Sequence, residues 1–352
     1  MSESESKMHA LWSFMGRRRV RQGRFMLLAA CSVAVFILVI SQGLFRERPL
    51  PDNQDCFRNF RINETNVQGS YAKWLAVFGG LFLPQSSIQQ DVFDNWYRYP
   101  KSLSNKMNRI DVRGDEGWLL DAIRDNFLMS PSTADVPYCL ENPNLHDPSM
   151  GQSQKIMRLL NNQTNGFFVE CGALDGETRS NTLYFERFLG WKGLLIEADP
   201  LNFMKALPRR RKAWLSPTCL SLAPHPTKVS FKQKENQGSI SKDPAGVNKE
   251  GQVDVQCLPL YTLLLALNRT SIDYFSLDVE GSELAVLKTI PFDKVDIKTL
   301  SVEFIHVGGG KGKEDLRHFM EAKGYVVDSE VTHPNWLAND FIFVRKDLLS
   351  SN

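Results

Sequence analysis

The stretch that most constrains this chain runs from Phe167 to Pro200, FFVECGALDGETRSNTLYFERFLGWKGLLIEADP, because it reads as strand, sharp turn, helix, strand and acidic turn in a single βαβ unit. Phe167, Phe168 and Val169 form a short apolar run that ends in Glu170-Cys171-Gly172. Gly172-Ala173-Leu174-Asp175-Gly176 then supplies turn chemistry before a helix patterned on Leu183, Phe185, Phe188 and Leu189. Gly193 to Ile196 predicts a second buried strand, ending in Glu197-Ala198-Asp199-Pro200. In such a unit the first turn lets a cofactor approach the backbone, and an acid about 20 residues further on accepts hydrogen bonds from ribose hydroxyls. Glu197 stands at that distance. The glycine pair lacks the full G-x-G-x-x-G, so a purely structural turn fits the spacing as well.

Phe25 to Phe45 is an uncharged run of 21 residues. At a rise of about 1.5 Å per residue it matches a hydrocarbon core of about 30 Å and predicts one transmembrane helix. It is longer than the apolar core of a cleavable signal, and no A-x-A site follows. Residues 1–24 carry six basic side chains, five of them arginines from Arg17 to Arg24, against Glu3 and Glu5, whereas only Arg46 and Arg48 closely follow the span. The positive-inside rule therefore puts the N-terminus in the cytosol, as in a type II protein of the secretory membranes: endoplasmic reticulum, Golgi, endosome or plasma membrane. The expected layout is a cytosolic tail (1–24), a signal anchor (25–45), a lumenal stem and accessory region (46–150), a main domain (151–346) and a short tail (347–352). The cytosolic tail alone is +4 against +2 for the whole chain, which leaves about −2 for the remainder, so no basic nucleic-acid-binding face is expected.

In a lumenal setting the sequons at Asn63, Asn162 and Asn268 become candidate glycosylation sites. Of six cysteines, Cys31 falls in the span, which leaves five in an oxidising compartment. Cys171, at the end of a buried strand, is the candidate lone thiol; Cys219 with Cys257 and Cys56 with Cys139 are plausible pairs. The histidines show no zinc spacing, so no metal site is expected. The basic run Arg209-Arg210-Arg211-Lys212 reads as a solvated helix end. Ala213 to Leu222 is expected as a third strand, Val229 to Phe231 as a hairpin arm, and Lys234 to Gly251 as a polar loop able to cover the site. Trp96, Tyr97 and Tyr99 are expected to pack on the main domain.

A second constellation, Tyr274-Phe275-Ser276-Leu277-Asp278-Val279-Glu280-Gly281-Ser282-Glu283, is again a strand ending in carboxylates and a glycine, placed where the fourth strand of a doubly wound sheet would reach the same crevice. Together, VECGALDGETRSNT, LLIEADP and SLDVEGSELAVL resemble the three signature blocks of the FkbM-type methyltransferases, over roughly Gly151 to Val344. The resemblance is nearest to the animal membrane-anchored branch that includes the insect protein Star. Many bacterial members read D-x-G-A-N-x-G in the first block, where this chain has Glu170 to Gly176.

The resemblance implies an α/β fold, a Rossmann-like seven-stranded methyltransferase sheet, and S-adenosylmethionine (SAM) as cofactor. It places Glu170, Gly172, Ala173, Asp175 and Gly176 at the SAM turn, Glu197 on the ribose and Asp199 near the adenine. Asp278 and Glu280 would face the transfer site, one of them as base, with His306 as an alternative base. The implied acceptor is a glycan or similar hydroxyl. The Star branch also implies a rival, non-catalytic role in exporting growth-factor cargo from the endoplasmic reticulum to the Golgi, upstream of EGF-receptor signalling. From the residues alone, Asp278 and Glu280 could instead cap the following helix, where Ser282 competes, and His306 could be a surface residue before a glycine turn. The implied strand order also brings the elements bearing Cys219 and Cys257 together.

Overall fold

A computed structural model describes residues 100–247, 249–307, 311–335 and 338–349. The tail, the anchor at 25–45, Asn63, Cys56 and the Trp96–Tyr99 aromatics lie outside the described residues. Among those described, no helix is long and apolar enough to cross a membrane.

The first buried strand, β1 (Phe167–Cys171), is enclosed on both faces, which is why its sequence is a run rather than an alternation. It leads through helix α4 (Leu183–Leu189) to β2 (Lys192–Ile196), and through α5 (Pro200–Ala206) to β3 (Trp214–Ser216). Three helices precede this unit: α1 (Lys101–Met107), α2 (Gly117–Asn126) and α3 (Gln152–Leu159). Met107, Leu119, Ile123 and Phe127 of this region are fully buried in one core cluster with Val169, Phe275 and Leu300. Residues 101–127, assigned from sequence to the stem and accessory region, thus share the core of the main domain.

The chain then leaves the sheet at Pro217-Thr218 to build a small second sheet from β4 (Cys219–Leu220), β5 (Thr227–Lys232), β6 (Ser239–Ile240) and β7 (Gln252–Leu258), in the order β4-β7-β5-β6. The single strand expected over Ala213 to Leu222 is therefore two strands in two sheets, and β7 has no counterpart in the sequence reading. Helix α6 (Leu260–Ala266) returns the chain to β8 (Ser271–Leu277), followed by α7 (Glu283–Thr289), β9 (Asp296–Glu303), α8 (Gly312–Ala322), the antiparallel pair β10 (Tyr325–Thr332) and β11 (Asn339–Arg345), and a last short helix, α9 (Lys346–Leu349).

The main sheet is mixed and seven-stranded, in the order β10-β11-β9-β8-β1-β2-β3. β1 pairs in parallel with both β2 and β8, so the order reverses between β1 and β8. In an open α/β sheet that reversal opens a crevice beyond the C-terminal strand ends. The arrangement is the Rossmann-like order expected of the methyltransferase sheet, closed by an antiparallel terminal hairpin.

Candidate active site

Three strand ends are stitched together at the crevice. Gly172 N and Ala173 N both donate to Ile196 O, at 3.1 and 3.2 Å, and Asp278 N donates to Cys171 O at 3.1 Å. Gly172 is left-handed, with φ +88°. Beyond these ends lies a cleft of about 250 Å³, lined by Glu170, Gly172, Ala173, Glu197, Asp278, Glu280 and His306 among others.

Each of these carboxylates has a distinct setting. Glu170 is buried and holds the turn, accepting from Asn181 N at 2.7 Å, Ser180 Oγ at 2.8 Å and Thr182 Oγ1 at 2.5 Å. Burial pushes its pKa up. Glu197 accepts from Leu174 N through Oε2 at 2.6 Å and from Asp199 N through Oε1 at 2.8 Å. These bonds aim the carboxyl group while each oxygen keeps a lone pair for another donor. Burial, reinforced by the charge of Asp199, pushes Glu197 up to about 8.

At the other side of the cleft, Asp278 is exposed on the cleft wall, and desolvation by the surrounding concave wall raises it while Arg179 opposes the rise. Glu280 is raised to about 7 by burial and then by the charges of Asp278 and Glu283. Glu303, at the end of β9, is driven up furthest, by burial first and then by Asp278, Glu280 and Glu283. His306 Nδ1 stands 3.0 Å from Glu280 Oε2 and 3.4 Å from Glu303 Oε2. Two overlapping trios, Glu280 with Glu303 and His306, and Asp278 with Glu283 and Glu303, bring ligand atoms within 4.8 Å of one another, close enough to hold a cation.

Three of the residues expected at the cofactor lie behind the cleft wall. Asp175 folds the turn, accepting from Glu177 N, Thr178 N and Thr178 Oγ1 and pairing with Arg209. Gly176 packs under it, where an added Cβ would meet Ala206. Asp199 caps α5 by accepting from Leu201 N and is held by Gln233 Nε2. Both aspartates use oxygens on nearby backbone N–H groups. Glu283, not Ser282, caps the turn after β8, accepting from Val279 N and Gly281 N.

The basic run is also corrected. Arg209 and Arg211 are 2% and 1% exposed. Arg211 Nε pairs with buried Glu186 at 3.0 Å, and its other nitrogens donate to Gly176 O, Ser180 Oγ and Thr182 Oγ1. Arg209 reaches Glu141, Asp175 and Glu177. The two side chains clamp the turn after β1 from behind.

Cys219 and Cys257 form a disulfide between paired positions of β4 and β7, and Cys219 lines the cleft. Cys139 is also disulfide-bonded, while Cys171 is a buried free thiol. The first part of the expected covering loop, Glu235 to Gly238, lines the cleft, anchored by Asn202 Nδ2 donating to Glu235 O at 2.7 Å. Gln152 lines it too, donating to Asp340 Oδ2 at 3.0 Å. The sequence reading missed Arg179, Ser276 and Glu303; only Glu303, an acid ending an apolar run, carried the signal used for the other strand ends.

A comparison with protein families matches residues 170–327 to the methyltransferase FkbM domain. Residues 170–327 are an FkbM-type methyltransferase domain. SAM is the cofactor of that domain. The cleft fits it: a bare glycine backbone at the first turn, a buried carboxylate on the second strand able to accept from a diol, and an acid-rich wall suited to a sulfonium and an ammonium. No curated protein matches the sequence. Among solved structures the FkbM-domain chain is similar to the METTL16 methyltransferase domain (13% identity, 55% of this chain, 66% of that one, TM-score 0.32), so it spans just under two thirds of that domain. It is similar also to a TehB-like SAM-dependent methyltransferase from Corynebacterium glutamicum (14%, 56% and 88%, 0.29) and to the human methyltransferase 10 domain containing protein (12%, 65% and 95%, 0.33).

Proposed function

We propose that this protein is a SAM-dependent O-methyltransferase, anchored by residues 25–45 with its FkbM domain in the secretory lumen, that methylates a hydroxyl of a sugar or similar polyol. The observation that carries the reading is the convergence of Asp278, Glu280 and His306 on one side of the cleft, with His306 Nδ1 3.0 Å from Glu280 Oε2. Bound SAM supplies a methyl group on a sulfonium, which needs an in-line nucleophile and little else beyond orientation. Glu280, with a pKa near neutrality, takes the acceptor's hydroxyl proton, and His306 holds that carboxylate in place. Asp278 orients the acceptor, Glu197 holds the ribose diol, and Gly172 with Glu170 keeps the first turn open. A wall of carboxylates accepts hydrogen bonds from vicinal hydroxyls and repels anions, which favours a polyol.

The membrane-anchored, lumenal placement is supported by the uncharged 21-residue run behind five arginines. The Cys219–Cys257 disulfide suits an oxidising compartment, and the sequon residues Asn162 and Asn268 are exposed in turns.

Incubating the purified full chain with methyl-labelled SAM and a panel of glycans tests the reading. The expected result is a labelled glycan, with Asp278→Asn still binding SAM but losing turnover. A chain that binds no SAM, while its Asp278→Asn variant still supports export of a membrane-bound growth factor, would replace the enzyme by the trafficking role. In microsomes, a C-terminal tag digested by protease without detergent would reverse the orientation.

A further inference from the structure

The cleft wall is dominated by acids, and among the described residues that line it Arg179 is the one arginine or lysine. Arg179 is half-buried, and among the described residues no hydrogen bond or ion pair within 4 Å engages its guanidinium; the carboxylates of Asp278 and Glu280 interact with it through space. Its backbone is left-handed, with φ +56°, a conformation that costs an L-residue about 1 kcal/mol. The flanking side chains hold this segment firmly. Ser180 Oγ and Asn181 N donate to Glu170, and Asn181 Nδ2 donates to Ser276 Oγ of β8 at 2.9 Å. Arg179 is therefore fixed over the β1–β8 side of the crevice.

That position matters because the sheet order acts as a ruler. Glu197 ends β2, on one side of β1, and Asp278 ends β8, on the other. With the ribose at Glu197, a cofactor reaching across the cleft toward Asp278 would bring its methionine end to the wall that Arg179 and Asn181 line. SAM carries three charges at that end: a sulfonium, an ammonium and a carboxylate. The acid wall suits the two cations and repels the carboxylate.

We infer that Arg179 is the residue that recognises the α-carboxylate of SAM, an ion pair that selects the intact amino-acid end of the cofactor. The inference rests on SAM occupying this cleft. A guanidinium binds a carboxylate through two parallel N–H donors, and such charge-assisted bonds contribute about 10- to 100-fold in affinity. In place of this role, Arg179 could only offset the charge of Asp278, which would make it indifferent to the ligand's carboxylate.

The test crosses two ligands with three proteins by calorimetry on the purified full chain. SAM and decarboxylated SAM differ only in the carboxylate. Arg179→Met keeps length, Arg179→Lys keeps charge, and both are unbranched at Cβ, so the left-handed backbone costs each about the same. The wild type is expected to prefer SAM by about 10- to 100-fold. Arg179→Met is expected to bind both ligands alike, at the affinity the wild type shows for decarboxylated SAM, and Arg179→Lys to recover part of the preference. A Met variant that retains the wild-type preference, or a wild type that has none, overturns the inference. Binding of neither ligand by a folded wild type overturns the cofactor reading along with it, and so is distinguishable from failure of Arg179 alone.

Discussion

A Cβ placed on Gly172 would lie 2.1 Å from the carbonyl oxygen of Asp278, so the ends of β1 and β8 meet with no space for a side chain between them. The contact fixes the distance between the cofactor turn and the transfer-site carboxylate. Gly172→Ala must both strain a left-handed backbone, at about 1–2 kcal/mol, and push the two strand ends apart. The variant is expected to unfold at lower temperature and to lose SAM binding altogether. Normal SAM affinity in a calorimetric titration would show that the two ends separate freely.

Arg211 and Glu186 are both fully enclosed, and the pair ties α4 to the segment before β3. Removing one member leaves a buried charge without a counter-ion, which typically costs about 3–5 kcal/mol. Arg211→Met is expected to destabilise the domain by that amount in a denaturant titration. The double change Arg211→Met with Glu186→Leu should recover much of it. If the single variant is as stable as the wild type, the clamp holds nothing.

This pair also shows where the sequence was opaque. Arg209 and Arg211 sit in an unbroken basic run, and only tertiary partners at Glu141, Glu177 and Glu186 turn two of its members inward. The main sheet was legible because strands buried on both faces leave continuous apolar runs ending in acids, as at Glu170, Glu197 and Asp278. The second sheet was not, because β4 and β6 are two residues each and β7 mixes Gln252, Asp254 and Gln256 into its length. Of the candidate site, the acids at strand ends were readable from their position, while Asp175 and Asp199 share that composition but spend their oxygens on local backbone donors. Arg179 gave no sign, since a left-handed arginine leaves no mark in a sequence.

The disulfide between Cys219 and Cys257 closes a separation of 38 residues that contains β5, β6 and part of the cleft wall. Chain-entropy arguments assign a loop of that size about 4 kcal/mol. Replacing both cysteines by alanine is expected to lower stability by up to that amount. Because Cys219 and Leu220 line the cleft, SAM affinity should fall as well. Unchanged stability and affinity after replacement would make the bond incidental.

Glu280 gives the reaction its pH dependence. Burial and the charges of Asp278 and Glu283 raise it to about 7, so in the free protein it is largely protonated at pH 6 and largely ionised at pH 8. A base works only when ionised, so kcat/KM for a hydroxyl acceptor is expected to rise with pH through about 7 and then level off, since that ratio reports the free enzyme. Glu280→Gln removes the proton acceptor while keeping shape, and should lower kcat by about 10²–10⁴ and flatten the rise. A Gln variant that keeps both the rate and the pH profile would move the proton to another group, and His306→Asn, measured over the same range, would then identify or exclude the imidazole 3.0 Å away.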